Sequence, residues 1–440
     1  MDILIKIAQL FLCFTILVGI HELGHFLMAR AFKIRVEKFY IFFDPWFSLF
    51  KFKRGDTEYG LGWLPLGGYV KIAGMIDESM DKEQMKQPVK PDEFRAKPAW
   101  QRLLVMVAGV MMNVLLAIVI YCAVCYTWGD SYFSNQDAKW GYNFNPTAHE
   151  MGFRDGDRFV SIAGEEIDNV MRVQNDLLIT DGGRRVVVER GGEPVTLDIP
   201  FESLLRMRQE KAYEDLFTLR LPFIVDSVSY TSAVEAGLQS GDEVVAIDDL
   251  RDADYPRYRD YLQKHKNDKV LLTVRRDGAL IDSLALPVDA EGRIGVTVTN
   301  PYSLRTQYYT FWESIPAGIH KAGKTISSYW DQLKLIVQPK TKMYEELGGF
   351  VAIGSIFPSS WDWHDFWLKT AFLSIILAVM NLLPIPGLDG GHALFTLWEI
   401  ITRRKPSEKF LEVAQYVGLM IILALLVYAN GNDIYRFFIK

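Results

Sequence analysis

The 440-residue chain is 50% hydrophobic and 23% charged, with a formal net charge of -6, so it is neither a disordered polymer nor a wholly membrane-buried channel. Acidic and basic residues are interspersed, without the basic stripe that binding to a phosphate backbone requires, which argues against nucleic acid as a partner. The three cysteines, Cys13, Cys122 and Cys125, all lie in apolar runs and read as small hydrophobes, not as a disulfide framework.

Residues 1–30 open the chain with an apolar run over 3–29 that closes on Arg30. About 20 helical residues cross a hydrocarbon core of roughly 30 Å, so this run predicts a membrane-spanning helix. It is too long for a signal-peptide core, and no small-x-small cleavage site follows. A loop over 31–100 leads to a second span within 101–127, whose apolar core is 103–125. The third membrane region covers 365–402, with its apolar run at 366–383, and the fourth covers 409–430, with its run at 413–428. The expected architecture is a polytopic α-helical membrane protein of four transmembrane helices, the bilayer its permanent partner.

Arg30, Lys33, Arg35 and Lys38 follow the first span, Lys97 and Arg102 precede the second, and Arg403, Arg404, Lys405 and Lys409 lie between the third and fourth. Positive charge is kept on the cytoplasmic side, so both loops are expected inside. Parity then puts the long 128–365 segment and both termini on the other face. In a bacterium that face is the periplasm, and the membrane is the inner one.

The outer segment repeats itself. Ala148-His149-Glu150-Met151-Gly152-Phe153, then Gly156-Asp157 and Val160, recurs without a gap as Ala233-Val234-Glu235-Ala236-Gly237-Leu238, then Gly241-Asp242 and Val245. Val188-Glu189-Arg190-Gly191-Gly192 recurs as Val274-Arg275-Arg276-Asp277-Gly278, each between β-rich runs, as a hairpin would be. The first glycine of each unit suits a left-handed helix end, and each Gly-Asp pair suits a turn into a strand. The pattern resembles the PDZ domains of bacterial envelope proteases, which implies two tandem β-rich PDZ-like domains, 128–210 and 211–300, between the second and third spans. They would capture periplasmic substrate tails by strand addition, or form a plug that keeps bulky proteins out. An amphipathic helix and linker fill 301–364. Its 315–337 stretch fits the outer membrane surface or the underside of the second module equally well.

The first span carries His21-Glu22-Leu23-Gly24-His25, the pattern H-E-x-x-H. Residues four apart share a helix face, so His21 and His25 can offer two imidazoles to one metal ion, with Glu22 placed to take a proton from water. A lone histidine on an apolar face is more often a hydrogen-bonded core residue. Three ionisable groups in one turn of a spanning helix are costly unless they serve a metal or an ion path. A catalytic zinc has three protein ligands and an open position. His149, His265 and His320 lie in the aqueous segment and His364 at the outer edge of the third span. The better third ligand is Asp389, within Asn381-Leu382-Leu383-Pro384-Ile385-Pro386-Gly387-Leu388-Asp389-Gly390-Gly391-His392. Its prolines and glycines break any helix, and broken backbone at membrane depth lines protein or a wet cavity. His392 is less suited.

H-E-x-x-H in the first span, paired with N-x-x-P-x-x-x-x-D-G in the third, resembles the site-two protease family of intramembrane zinc metalloproteases. The interposed modules resemble its bacterial, regulator-of-sigma-E protease branch. The resemblance covers nearly the whole chain and implies that His21, His25 and Asp389 hold Zn2+, that Glu22 is the catalytic acid/base, and that Asn381 contacts the substrate. It also implies membrane-embedded peptide substrates: a membrane-anchored anti-sigma factor or signal-peptide remnants. Asn381 also suits a helix–helix hydrogen bond, and for Asn113, in Gly109-Val110-Met111-Met112-Asn113, packing is the favoured reading. Residues 58–75 resemble the family's re-entrant β-hairpin, which implies substrate contacts at Gly67, Gly68 and Tyr69; a plain interfacial hairpin is the other reading. Leu347-Gly348-Gly349-Phe350 departs from the family's Ser-Gly-Pro segment. A metal-ion transporter would leave Glu22 without a task and lacks a membrane repeat, and a non-catalytic peptide-binding scaffold would not need Glu22.

Overall fold

The computed structural model describes residues 2–64, 67–75, 88–180, 182–210, 212–213, 215–252 and 254–436. They divide into two compact units, one formed by Met1–Asp130 with Tyr308–Lys440 and the other by Ser131–Gln307. Four helices of the first unit are long and apolar enough to cross a membrane: α1 (Asp2–Ala31), α2 (Ala99–Trp128), α5 (Trp363–Leu382) and α7 (Glu408–Ile434).

Helix α2 is the hub. It packs closely on α1, where a Cβ added to Gly24 would stand 2.5 Å from the Ala108 carbonyl oxygen. Its C-terminal half meets α5 and α3 (Phe311–Val337), burying Ala117, Ile120 and Tyr121 with Ala322, Ala371 and Ile375. Part of the apolar face of α3 is thus covered by the helical bundle, with Gly318 against Cys122, while Ile319 and Trp330 stay about half exposed. Thr310 and Glu313 close a capping box at its start, which satisfies two otherwise unpaired backbone donors.

Helix α7 is lightly covered and is held near its middle and at its C-terminal end. Gly418 lies directly on Pro386 with no room for a side chain. Near the C-terminus Asn430 accepts from the Phe350 N–H at 3.2 Å, and Asp433 from those of Val351 and Ala352 at 2.9 and 3.0 Å. These carboxylate and amide groups cap the short α4 (Phe350–Ser355), where backbone donors and the positive helix end favour such partners.

The loop between α1 and α2 folds into a four-stranded mixed sheet of β1 (Val36–Ile41), β2 (Phe43–Arg54), β3 (Thr57–Leu64) and β4 (Tyr69–Ile72), in the order β2-β3-β1-β4. This differs from the hairpin expected over residues 58–75, of which 65–66 lie outside the described residues. Strands β3 and β4 do not pair with each other. Both flank β1, β3 parallel and β4 antiparallel to it, and the tight hairpin is β2–β3, turning at Gly55 with φ of 63°. Buried Val36 and Tyr40 on β1, with Tyr40 stacked on Tyr69 at 5.2 Å, explain why β1 takes the centre.

In the second unit the strands Arg158–Ile162, Arg184–Arg190 and Glu193–Ile199 form one sheet, and Glu243–Ile247, Lys269–Arg276 and Ala279–Pro287 form the matching part of another. The repeat is visible in atomic detail. Asp157 and Asp242 are each fully buried and gripped bidentately, Asp157 by Arg190 at 2.8 and 2.7 Å and Asp242 by Arg276 at 2.6 Å on both oxygens. Each arginine also donates at 2.7 Å to the carbonyl of the repeat's first glycine, Gly152 or Gly237. All four repeat glycines, 152, 156, 237 and 241, have φ between 88° and 99°, a region costly for any residue with a Cβ. The first module runs further than residue 210: Phe217–Leu219 pairs with Tyr142–Phe144, and Leu216 is in its core.

Removing one arginine leaves a buried carboxylate without its cationic partner, which is destabilising. Arg276→Met is therefore expected to lower the opening free energy of amides in Lys269–Arg276, read by native-state hydrogen exchange. Unchanged protection would show that the pair does not hold the module together.

Candidate active site

The site lies where α1, α2 and the break between α5 and α6 (Asp389–Thr402) meet. Helix α5 ends at Leu382 because Pro384 and Pro386 supply no N–H. The chain turns through Gly387 with φ of 99° and restarts as a helix at Asp389. Gly390 and Gly391 let that helix close onto the break, since a Cβ on either would stand 2.3 to 2.5 Å from the carbonyl oxygens of Leu383 and Ile385. At its far end, Arg102 of α2 pairs with Glu399 at 2.6 Å. Both ends of α6 are fixed, and with them the Asp389 carboxylate.

That carboxylate meets both histidines. Asp389 Oδ2 is 3.1 Å from His21 Nε2 and 3.2 Å from His25 Nε2, and the two Nε2 atoms are 3.3 Å apart. Among the described residues this is the one cluster of histidine, cysteine or carboxylate groups close enough to hold a metal ion. Bond lengths of about 2.0–2.1 Å in a tetrahedral zinc site put neighbouring ligand atoms about 3.3 Å apart. The donor set and its spacing therefore fit zinc. His21 and His25 are 8% and 6% exposed, so little bulk water competes. His25 Nδ1 lies 2.8 Å from the Val105 carbonyl oxygen. A proton on Nδ1 donated there leaves the Nε2 lone pair facing inward, the arrangement a metal ligand needs.

Glu22 follows His21 in the same helical turn and stands in the wall of a cavity of about 680 Å³ that also holds His21, His25 and Asp389. The Val70 backbone hydrogen bonds to it. Strand β4 reaches this close because Gly68 has no side chain: a Cβ there would stand 2.9 Å from Val18 and 3.5 Å from Glu22. Gly67, Gly68 and Tyr69 line the cavity, as do Asn381 and His392. Asn381 Nδ2 is 3.4 Å from His21 Nε2. Tyr69 donates to Asp44 at 2.9 Å; burial and that carboxylate raise its hydroxyl well above the usual value, so it stays a donor at neutral pH.

His149 and His265 lie in the second unit, bonded to Asp155 and Tyr261, and the His364 ring lies tilted against Trp128. Two residues of α2 carry more than sequence reasoning gives them. Asn113, favoured there as packing, has Nδ2 3.2 Å from His21 Nδ1. Gly109 lies so close that a Cβ would be 2.5 Å from His25 Nε2 and 2.7 Å from His21 Cε1. Their spacing from one another, G-x-x-x-N on one helix face, was the available signal.

Peptidase family M50 matches the chain over residues 9–425. A protein of Clostridium perfringens named as a zinc metalloprotease is 28% identical over 426 residues, covering 96% of both chains. A Vibrio cholerae protein of the same designation is 29% identical over 462 residues, covering 99% of each. The regulator of sigma E protease of Haemophilus influenzae is 27% identical over 460 residues, covering 99% of this chain and all of that one.

Proposed function

This chain belongs to peptidase family M50 and is a zinc metalloprotease, and on that footing we propose that it cleaves peptide bonds within or beside the transmembrane segments of single-span membrane proteins. The observation that carries this reading is the meeting of His21, His25 and Asp389 inside a helical unit whose own long helices are apolar enough to span a bilayer. In this reading the three residues hold the zinc. The ion, when bound, polarises the scissile carbonyl and brings the pKa of a water to about 7. Glu22 accepts the proton of the attacking water and passes it to the leaving amine. Asn381, beside His21, holds the substrate backbone or the charge that develops on the carbonyl oxygen.

A helical substrate hides its amides, so it must be held extended at the site. Strand β4 is a sheet edge, its Val70 backbone bonds to Glu22, and Gly67, Gly68 and Tyr69 line the cavity. A substrate strand added to β4 would bring its backbone beside Glu22. Proline at Val70, whose backbone faces away from β1 toward Glu22, is expected to cut cleavage of a membrane substrate about tenfold or more while bound zinc is unchanged; undiminished cleavage in a folded variant would rule out strand addition here.

The repeated modules, expected at 128–210 and 211–300, are read as PDZ-like domains that meet the substrate's tail outside the inner membrane, the first extended by the Phe217–Leu219 strand. The positive loops beside α1, α2 and between α6 and α7 support the same orientation, with the active site toward the cytoplasm. An anti-sigma factor or a signal-peptide remnant has the required single span. Cells carrying the Glu22→Gln protein should accumulate such single-span fragments, identified by membrane proteomics. Accumulation of soluble proteins alone would contradict the assignment.

A further inference from the structure

Asn113 is the one polar side chain of α2 that touches a candidate ligand, and it is completely buried. Its backbone carbonyl accepts from Ser374 Oγ of α5 at 2.8 Å, so two helices fix its position. Its side chain has Nδ2 3.2 Å from His21 Nδ1, while Oδ1 has no hydrogen-bond partner among the described residues.

That orientation conflicts with metal binding. An amide N–H donated to Nδ1 needs a lone pair on Nδ1, which puts the imidazole's single proton on Nε2. Yet Nε2 is the atom that faces His25 and Asp389 at 3.3 and 3.1 Å, and a ligand atom must present its lone pair. The two amide ends differ only in how the group is turned about its last bond. Turned over, Oδ1 accepts the proton of His21 Nδ1 and Nε2 is left free to ligate. The turn sacrifices no hydrogen bond, because one amide atom lacks a protein partner in either orientation. His25 is already treated this way by the Val105 carbonyl at 2.8 Å.

The geometry points to Asn113 as a positioning residue that accepts a hydrogen bond from His21 Nδ1 through Oδ1 and so fixes the tautomer and ring orientation in which His21 binds zinc. Each histidine then has its own acceptor on α2, a backbone carbonyl for His25 and a side-chain amide for His21. This inference rests on the zinc site assigned above.

The test uses the full chain in detergent micelles or nanodiscs with zinc as the probe. Asn113→Leu keeps the branched shape, with a larger volume, and removes the acceptor. Asn113→Asp keeps an acceptor and offers no donor. Groups that orient a metal ligand typically contribute 10–100-fold in metal affinity, so Asn113→Leu should lose zinc to a competing chelator 10–100-fold more readily than wild type. Asn113→Asp should hold zinc at least as tightly as wild type and cleave a membrane substrate within several-fold of it. Proton-detected spectra of the zinc-loaded wild type, labelled with nitrogen-15 histidine, should place the His21 proton on Nδ1. If Asn113 only packs the helices, both variants fall together in thermal stability and hold zinc alike, which overturns the inference, as does a proton on Nε2. Loss of zinc in a His21→Ala variant, together with unchanged affinity in Asn113→Leu, defeats this inference alone. Wild type without zinc defeats the site itself.

Discussion

Glu22→Gln is expected to reduce cleavage of a membrane substrate by on the order of 10²–10⁴-fold, the usual contribution of a positioned proton-transfer group, while the protein keeps its zinc. The amide fills the same space, so the cavity wall and its contact with Val70 are left in place. It cannot take a proton from water. A fall in kcat with little change in KM would mark the loss of an interaction made in the transition state. The variant also separates the alternatives raised by the sequence. A transporter built on His21, His25 and Asp389 would keep its flux, and a peptide-binding scaffold would keep its affinity.

Gly109→Ala removes no reacting group, yet it is expected to be nearly as damaging. The methyl would stand 2.5 Å from His25 Nε2 and 2.7 Å from His21 Cε1, well inside van der Waals contact. The rings must then turn, or α2 must move off α1. The helices have little slack, because Gly24 already brings α1 onto the Ala108 backbone. Misplacement of about 1 Å at a catalytic site can cost 10²-fold in rate, so zinc affinity and cleavage should fall together by at least that order. The measurement is chelator competition beside a cleavage assay. A Gly109→Ala protein with wild-type zinc affinity would mean that the histidines are not held against α2 as the structure has them.

The parts of the site that follow from local spacing were legible in the sequence. His21 and His25 share a face because they are four residues apart, and the Pro384-Ile385-Pro386-Gly387 run announces a break whatever surrounds it. The four apolar runs declare themselves by length. Contacts between distant segments were not legible. Gly109 and Asn113 look like ordinary helix-packing residues until α1 is laid beside them, and Arg102 gives no sign that Glu399, almost 300 residues on, completes its pair. The sheet was misread as a hairpin for the same reason: glycine-punctuated strands adjacent in sequence suggest local pairing, whereas β1 separates β3 from β4 through a parallel contact that leaves no turn signature. The first module's boundary moved because Phe217–Leu219 is a short strand whose partner, Tyr142–Phe144, lies far upstream.

The most direct test of the account is metal analysis of the purified full-length protein beside its Asp389→Ala variant. One zinc per chain is predicted in the wild type, with a loss of most of it in Asp389→Ala while the helical content stays unchanged. A wild-type protein free of zinc, or an Asp389→Ala protein that holds a full equivalent as tightly, would contradict the site on which the proposed proteolysis depends.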